Sequence, residues 1–108
     1  MKKILLALLF LATTNYATAA AVTSPVTKIS RVLTYGTYTV LAIQNSVSGS
    51  GCSKGNFVAF DITTSAGKAL YSSALTAFTT GMQVRFGSNG CVSWGGTIPK
   101  VYRLEMIK

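Results

Sequence analysis

Apolar and polar residues alternate along several stretches of the chain after residue 20, and this alternation is typical of half-buried β-strands. The first two stretches, residues 27–35 and 38–45, are separated by Gly36, which predicts a β-hairpin. A third strand is expected at residues 57–63. Its two faces are both largely apolar, so this strand should be buried on both sides or should meet a partner on one of them.

A different period follows the third strand. Residues 66–80 carry apolar side chains at helical spacing, which predicts an amphipathic helix. Its expected apolar face comprises Leu70, Ala74, Ala77 and Phe78, with Tyr71 and Leu75 beside it. Ser65 is expected to cap the helix, because its hydroxyl can accept a hydrogen bond from a first-turn amide. Gly81 is expected to end the helix in the left-handed conformation.

Alternation returns in the last quarter of the chain. Residues 83–88 and 101–107 predict a fourth and a fifth strand, with a turn at Ser88-Asn89-Gly90 between them. In the fifth strand the residues expected on the core face are Tyr102, Leu104 and Met106.

The predicted order of elements is three strands, a helix and two strands, in one domain that spans residues 20–108. This βββαββ order fits a mainly β, five-stranded barrel of the oligonucleotide/oligosaccharide-binding (OB) type, in which one helix lies between the third and fourth strands. The alternative is a small α+β sheet with one helix packed on a face.

The first nineteen residues have a different character. Two lysines at positions 2 and 3 precede an uninterrupted apolar run at residues 4–12, and Ala17-Thr18-Ala19 offers small residues around a cleavage site. This is the pattern of a bacterial secretory signal peptide at residues 1–19. The run is shorter than the roughly 20 apolar residues of a membrane span, so we expect cleavage and no membrane anchor. The protein is therefore expected in the periplasm or outside the cell.

Export changes how the charge and the cysteines are interpreted. The whole chain has ten Lys and Arg residues and two acidic ones, for a net charge of +8. Cleavage after Ala19 would remove Lys2 and Lys3 and leave about +6 (8 minus 2), which still attracts anionic partners such as acidic glycans. Nucleic acid is rarely the partner of a basic protein outside the cytoplasm, so we rank it lower. Cys52 and Cys91 are the only cysteines, and in an oxidising compartment they are expected to form one disulfide.

The composition argues against an enzyme. There is no histidine, and Asp61 and Glu105 are the only carboxylate side chains, which we expect to pair with Lys or Arg. General acid/base catalysis and serine activation lack a base, and a zinc site lacks ligands. No cofactor is therefore expected.

The best candidate for a binding site lies between the last two strands. Trp94, the only tryptophan, is followed by two glycines and, six residues on, by Lys100. A tryptophan face can pack against a sugar ring, while Lys100 could bind hydroxyl or acidic groups. The alternative is that Trp94 folds back onto a small core and the glycines only form a turn.

A family resemblance rests on the residues from Ala66 through Ile107. The helix ending at Gly81 is followed by a short strand, then Cys91-Val92-Ser93-Trp94, then Thr97-Ile98-Pro99 and a final alternating strand. This order resembles the C-terminal half of cholera-type enterotoxin B subunits, which have a helix, a strand, a Cys-Val-Trp element, a Thr-Pro pair and a last strand. Subtilase-type and pertussis-type toxin B subunits resemble it more loosely.

The resemblance implies a homopentameric ring of OB-type barrels that binds cell-surface glycans, with a catalytic A subunit as a possible partner. Trp94 would then be the residue that stacks on the sugar. We therefore expect an exported, non-enzymatic protein that binds a glycan or another anionic cell-surface ligand. The alternatives are a periplasmic OB-type structural or interaction protein of the cell envelope and, third, a single-stranded nucleic-acid-binding protein.

Overall fold

Six strands and one helix make up most of residues 21–108, which are the residues that the computed structural model describes. The elements are β1 (Val22–Thr23), β2 (Ile29–Thr34), β3 (Tyr38–Ile43), β4 (Phe57–Asp61), α1 (Ser65–Thr80), β5 (Gln83–Ser93) and β6 (Thr97–Ile107). The predicted signal peptide, residues 1–19, lies outside this part of the chain. Among the described residues, no helix has the length and apolar character that crossing a membrane requires.

The strands form one sheet in the order β1-β5-β6-β4-β3-β2. All neighbouring strands are antiparallel except β4 and β6, which run parallel. The predicted hairpin around Gly36 is confirmed, because β2 pairs with β3 and the amide of Tyr35 donates to the carbonyl of Tyr38 over 2.9 Å. A single bridge also joins Thr27, just before β2, to Val84 of β5.

Within residues 21–108, the mainly β architecture with one helix is confirmed, whereas the predicted number of strands is wrong by one. The sixth strand is β1, a two-residue strand outside the five predicted ones, which pairs with β5 through Val22 and Thr23. The sheet does not close into a barrel, and the arrangement of the described residues fits the small α+β alternative.

Strand β4 is buried on both faces, as its sequence predicts. Val58 and Phe60 belong to the main core cluster, whereas Ala59 belongs to a second cluster on the opposite face, because successive side chains of a strand alternate. Helix α1 packs on the first face through Ala74 and Ala77. Among the residues that the structure describes, no helix covers the second cluster. Its members are Val40, Ala59 and Ile98, with Leu33, Tyr38, Phe57, Val92 and Trp94 packed against them.

The helix begins one residue earlier than predicted. The cap is Thr64 instead of Ser65, and the Thr64 hydroxyl accepts a hydrogen bond of 2.9 Å from the amide of Gly67. Gly81 ends the helix in the left-handed conformation (φ 72°), as predicted, and its amide donates to the carbonyl of Ala77. Phe78, predicted on the apolar face, is 39% exposed.

Strands β5 and β6 are longer than predicted because the Ser88-Asn89-Gly90 segment is a β-bulge and not a turn. Ser88 pairs with Val101 and Cys91 pairs with Pro99, so β5 contains one extra residue, and Gly90 adopts φ 87°. The pair then continues to residues 93 and 97.

A second bulge reverses the predicted orientation of Tyr102. Arg103 pairs with Gly87 and Val101 pairs with Ser88, which leaves Tyr102 as the extra residue. Val101 and Leu104 consequently contact the core, and Tyr102 is 54% exposed. Met106, next to the end of the strand, is also exposed, at 43%.

Candidate ligand-binding site

Trp94 lies in the tight connection between β5 and β6. Its amide donates to the carbonyl of Gly96 over 2.8 Å, and Gly95 and Gly96 adopt positive φ values of 57° and 122°. A β-carbon on Gly96 would lie 2.8 Å from the hydroxyl oxygen of Ser53, so a neighbouring loop passes close to this turn. The glycines are therefore required for both the turn and the approach of that loop.

Trp94 is the centre of a group of four aromatic side chains. Its Nε1 donates to the hydroxyl of Tyr35 over 3.1 Å, and its ring centroid lies 4.7 Å from that of Phe57. Tyr35 in turn stacks on Tyr38, with centroids 5.2 Å apart. We call these four residues the aromatic surface. Trp94 is half-buried and Tyr35 is 40% exposed, so the surface is both packed and open to solvent.

Lys54 supplies the positive charge at the aromatic surface. Its Nζ lies 5.4 Å from the centroid of the Trp94 ring, within the range of a cation–π interaction. The backbone holds Lys54 in place, because its amide donates to the carbonyl of Thr97 over 2.9 Å. Next to it, the amide of Ser53 donates to the Thr97 hydroxyl and the amide of Thr97 donates to the Ser53 hydroxyl, each over 2.8 Å.

The predicted disulfide explains why this loop reaches the β5–β6 turn. Cys52 and Cys91 are bonded, with α-carbons 5.8 Å apart. Lys54 follows Cys52 by two residues and Trp94 follows Cys91 by three. The bond therefore anchors the two segments that carry the lysine and the tryptophan side by side.

Lys100 lies in a different part of the same region. A cavity of about 290 Å³ is lined by Thr37, Tyr38, Asp61, Thr63, Cys91, Val92 and Lys100. Tyr38 belongs to the aromatic surface, and Val92 packs against the second cluster together with Trp94, so the cavity adjoins that surface. A second cavity of about 230 Å³ is lined by Asp61, Thr64, Ala66, Gly67, Leu70, Lys100, Val101 and Tyr102.

Asp61 is the acidic group of both cavities. Its Oδ1 accepts hydrogen bonds from the hydroxyl of Thr63 (2.5 Å) and from the amide of Thr63 (2.8 Å). These two bonds, with a smaller contribution from the positive charge of Lys100, lower the pKa of the Asp61 carboxyl below its ordinary value. The lowered pKa means that Asp61 stays ionised to a lower pH than an ordinary aspartate does.

The expectation that both carboxylates form ion pairs holds for one of them. Glu105 bridges Arg85, over 3.2 Å, and Arg103. Asp61 has no ion pair within 4.0 Å in the part of the chain that the structure describes, because the turn after β4 supplies its partner, Thr63. Its carboxylate remains available to a ligand in the cavities.

The structure thus separates the two residues that the sequence singles out. Trp94 is half-exposed in the aromatic surface, where the cation over its ring is Lys54 and not Lys100. Lys100 lines the cavities beside Asp61. The sequence contained a signal for Lys54, because a disulfide between Cys52 and Cys91 brings together the residues that follow each cysteine. Nothing in the pattern marked Asp61, whose role depends on the parallel pairing of β4 with β6.

Comparisons of the chain with protein-family models, with curated proteins and with solved structures found no match. The resemblance to toxin B subunits accordingly stays a prediction.

Proposed function

We propose that the protein is an exported, non-enzymatic binding protein that recognises a glycan through the aromatic surface. The observation that carries the proposal is the arrangement around Trp94. A half-exposed indole, fixed by Tyr35 and Phe57, has an ammonium group 5.4 Å from its ring centroid. An aromatic face packs against the apolar face of a sugar, and Lys54 can donate to its hydroxyl or acidic groups.

The connections that contribute to this surface support the proposal. Residues 35–37 join β2 to β3, and residues 94–96 join β5 to β6. In an OB-type barrel, the loops between the first two and the last two strands, with the face of the middle strands, bind oligosaccharides and oligonucleotides. We propose that the sheet is a partly open form of this barrel. The parallel pairing of β4 with β6 and the bridge from Thr27 to Val84 support that relation.

The distribution of charge favours a glycan over a nucleic acid. Single-stranded nucleic acids are bound by positively charged grooves with aromatic stacking platforms. The cavities beside the aromatic surface instead combine one lysine with one carboxylate, Lys100 and Asp61. A carboxylate repels phosphates and accepts hydrogen bonds from sugar hydroxyls.

A glycan array probed with the purified protein, followed by titration of the best ligand, tests the proposal. Trp94→Ala should weaken binding about ten-fold or more, because it removes the central ring of the site. The matched control is Phe78→Ala, which removes an exposed aromatic ring on the helix, outside the aromatic surface. It should bind as the unaltered protein does. No bound glycan, or equal loss of binding in both variants, would contradict the proposal.

Assembly is the second part of the proposal. The resemblance to toxin B subunits implies a ring of five chains, and such a ring would present five aromatic surfaces and gain avidity for a cell surface. Sedimentation equilibrium measures the mass directly. A stable pentamer supports the toxin-like assembly, and a monomer at all concentrations favours an interaction protein of the cell envelope.

A further inference from the structure

The two cavities have the same pair of charged residues between them. Asp61 and Lys100 line both, and each cavity also has one tyrosine. Tyr38, from the aromatic surface, lines the first cavity. Tyr102, which is 54% exposed, lines the second.

We propose that the aromatic surface and the two cavities form one trough that binds a linear oligosaccharide, with one sugar ring on each side of Asp61 and Lys100. This inference rests on the proposed glycan binding and adds that the ligand is a chain, not only a single terminal sugar.

The size of the cavities supports one ring in each. Small-molecule sites have volumes from about 300 Å³ upwards. At about 290 and 230 Å³, each cavity lies at or below that limit, so neither suits a larger ligand alone. A ligand that fills both must pass between or over Asp61 and Lys100.

The two charged residues match the chemistry of such a chain. Adjacent sugar hydroxyls both donate and accept hydrogen bonds, a carboxylate only accepts and an ammonium only donates. Within residues 21–108, both hydrogen bonds to the Asp61 carboxylate end on Oδ1, and no hydrogen bond engages Nζ of Lys100. Oδ2 of Asp61 and Nζ of Lys100 can therefore serve a ligand from both cavities.

The proposed trough also accounts for the exposed position of the Tyr102 side chain. The bulge in β6 turns its side chain away from the core, leaving a large aromatic residue in solvent at the second cavity. A bulge is a common device for redirecting a side chain near a binding site. The trough thus has aromatic groups at both ends, Trp94 with Tyr38 at one and Tyr102 at the other.

The test is the dependence of affinity on chain length. Two series are titrated by calorimetry, β-1,4-linked N-acetylglucosamine and α-1,4-linked galacturonic acid, each from one to four residues. We expect affinity for the neutral series to rise roughly ten-fold between one and three residues and then level off. The acidic series should gain less with length because its carboxylates approach Asp61.

Variants distinguish this inference from the proposed function. Tyr102→Ala should abolish the gain with length and weaken monosaccharide binding less than Trp94→Ala does. Asp61→Asn and Lys100→Met should reduce the gain, and Trp94→Ala should weaken every member of the series. Phe78→Ala, the control, should show the full gain. Any one of three results would overturn the trough. They are an affinity that does not depend on oligosaccharide length, a gain in affinity with length that is unchanged in Tyr102→Ala, and no binding to either series. The glycan array with Trp94→Ala decides the proposed function separately.

Discussion

Trp94 serves the fold and the surface at the same time. Its ring packs against Phe57 and the second cluster, while its Nε1 donates to the hydroxyl of Tyr35 and the side chain remains half-buried. Fixing an aromatic side chain before the ligand arrives reduces the entropy lost on binding. Because Trp94 is the only tryptophan, its fluorescence reports this one site without mutation.

Asp61 makes stability depend on pH in a defined direction. The hydrogen bonds from Thr63 lower the pKa of the Asp61 carboxyl in the folded state. They therefore stabilise the folded protein at any pH above the ordinary pKa of an aspartate. This stabilisation is lost as the pH falls through the lowered pKa of the folded state. We expect the urea midpoint of the unaltered protein to exceed that of Asp61→Asn at neutral pH. The difference should shrink below about pH 4. A difference that stays constant from pH 7 to pH 2 would contradict this assignment.

At the residue scale, the sequence predicted side chains whose chemistry is distinctive. Trp94 and the two cysteines stand out by type. The cysteines form the predicted disulfide, and Trp94 packs against the second cluster, where its role in binding stays a prediction. Lys54 and Asp61 are ordinary surface residues in the sequence. They reach the aromatic surface and the cavities only through the disulfide and through the parallel pairing of β4 with β6, which are contacts between distant parts of the chain.

At the scale of elements, periodicity located every strand from β2 to β6 and the helix, and it failed where a strand gains a residue. The Asn89-Gly90 pair is a common turn signal, but the positive φ of Gly90 here accommodates a bulge. The bulge at Tyr102 has no such marker. One extra residue exchanges the two faces of a strand, so alternation alone assigned Tyr102 to the core.

The start of the helix gives a testable prediction at this scale. Thr64→Ala should lower the free energy of unfolding by about 1 kcal/mol, because it removes the side-chain acceptor for the amide of Gly67. Ser65→Ala is the matched control and should change it by less than about 0.5 kcal/mol, since Ser65 is exposed and is not the cap. Urea denaturation measures both. Equal losses would show that the cap had been assigned wrongly.

At the scale of the whole molecule, one disulfide joins the loop between β3 and β4 to strand β5. The disulfide encloses a sequence separation of 39 residues. Replacing both cysteines by alanine should lower the free energy of unfolding by about 4 kcal/mol on the chain-entropy model. The unaltered protein in strong reductant should unfold at the same urea concentration as the double variant. If reduction leaves the midpoint where it was, the bond contributes nothing to stability.

The aromatic surface combines side chains that are far apart in the sequence, at positions 35, 38, 57 and 94. The helix and most of β5 lie between positions 57 and 94. A chain that has formed only its first hairpin holds two tyrosines and no indole beside them. Under the proposed function, a ligand can therefore bind only after the β5–β6 hairpin has joined the sheet, and its affinity would report that folding is complete.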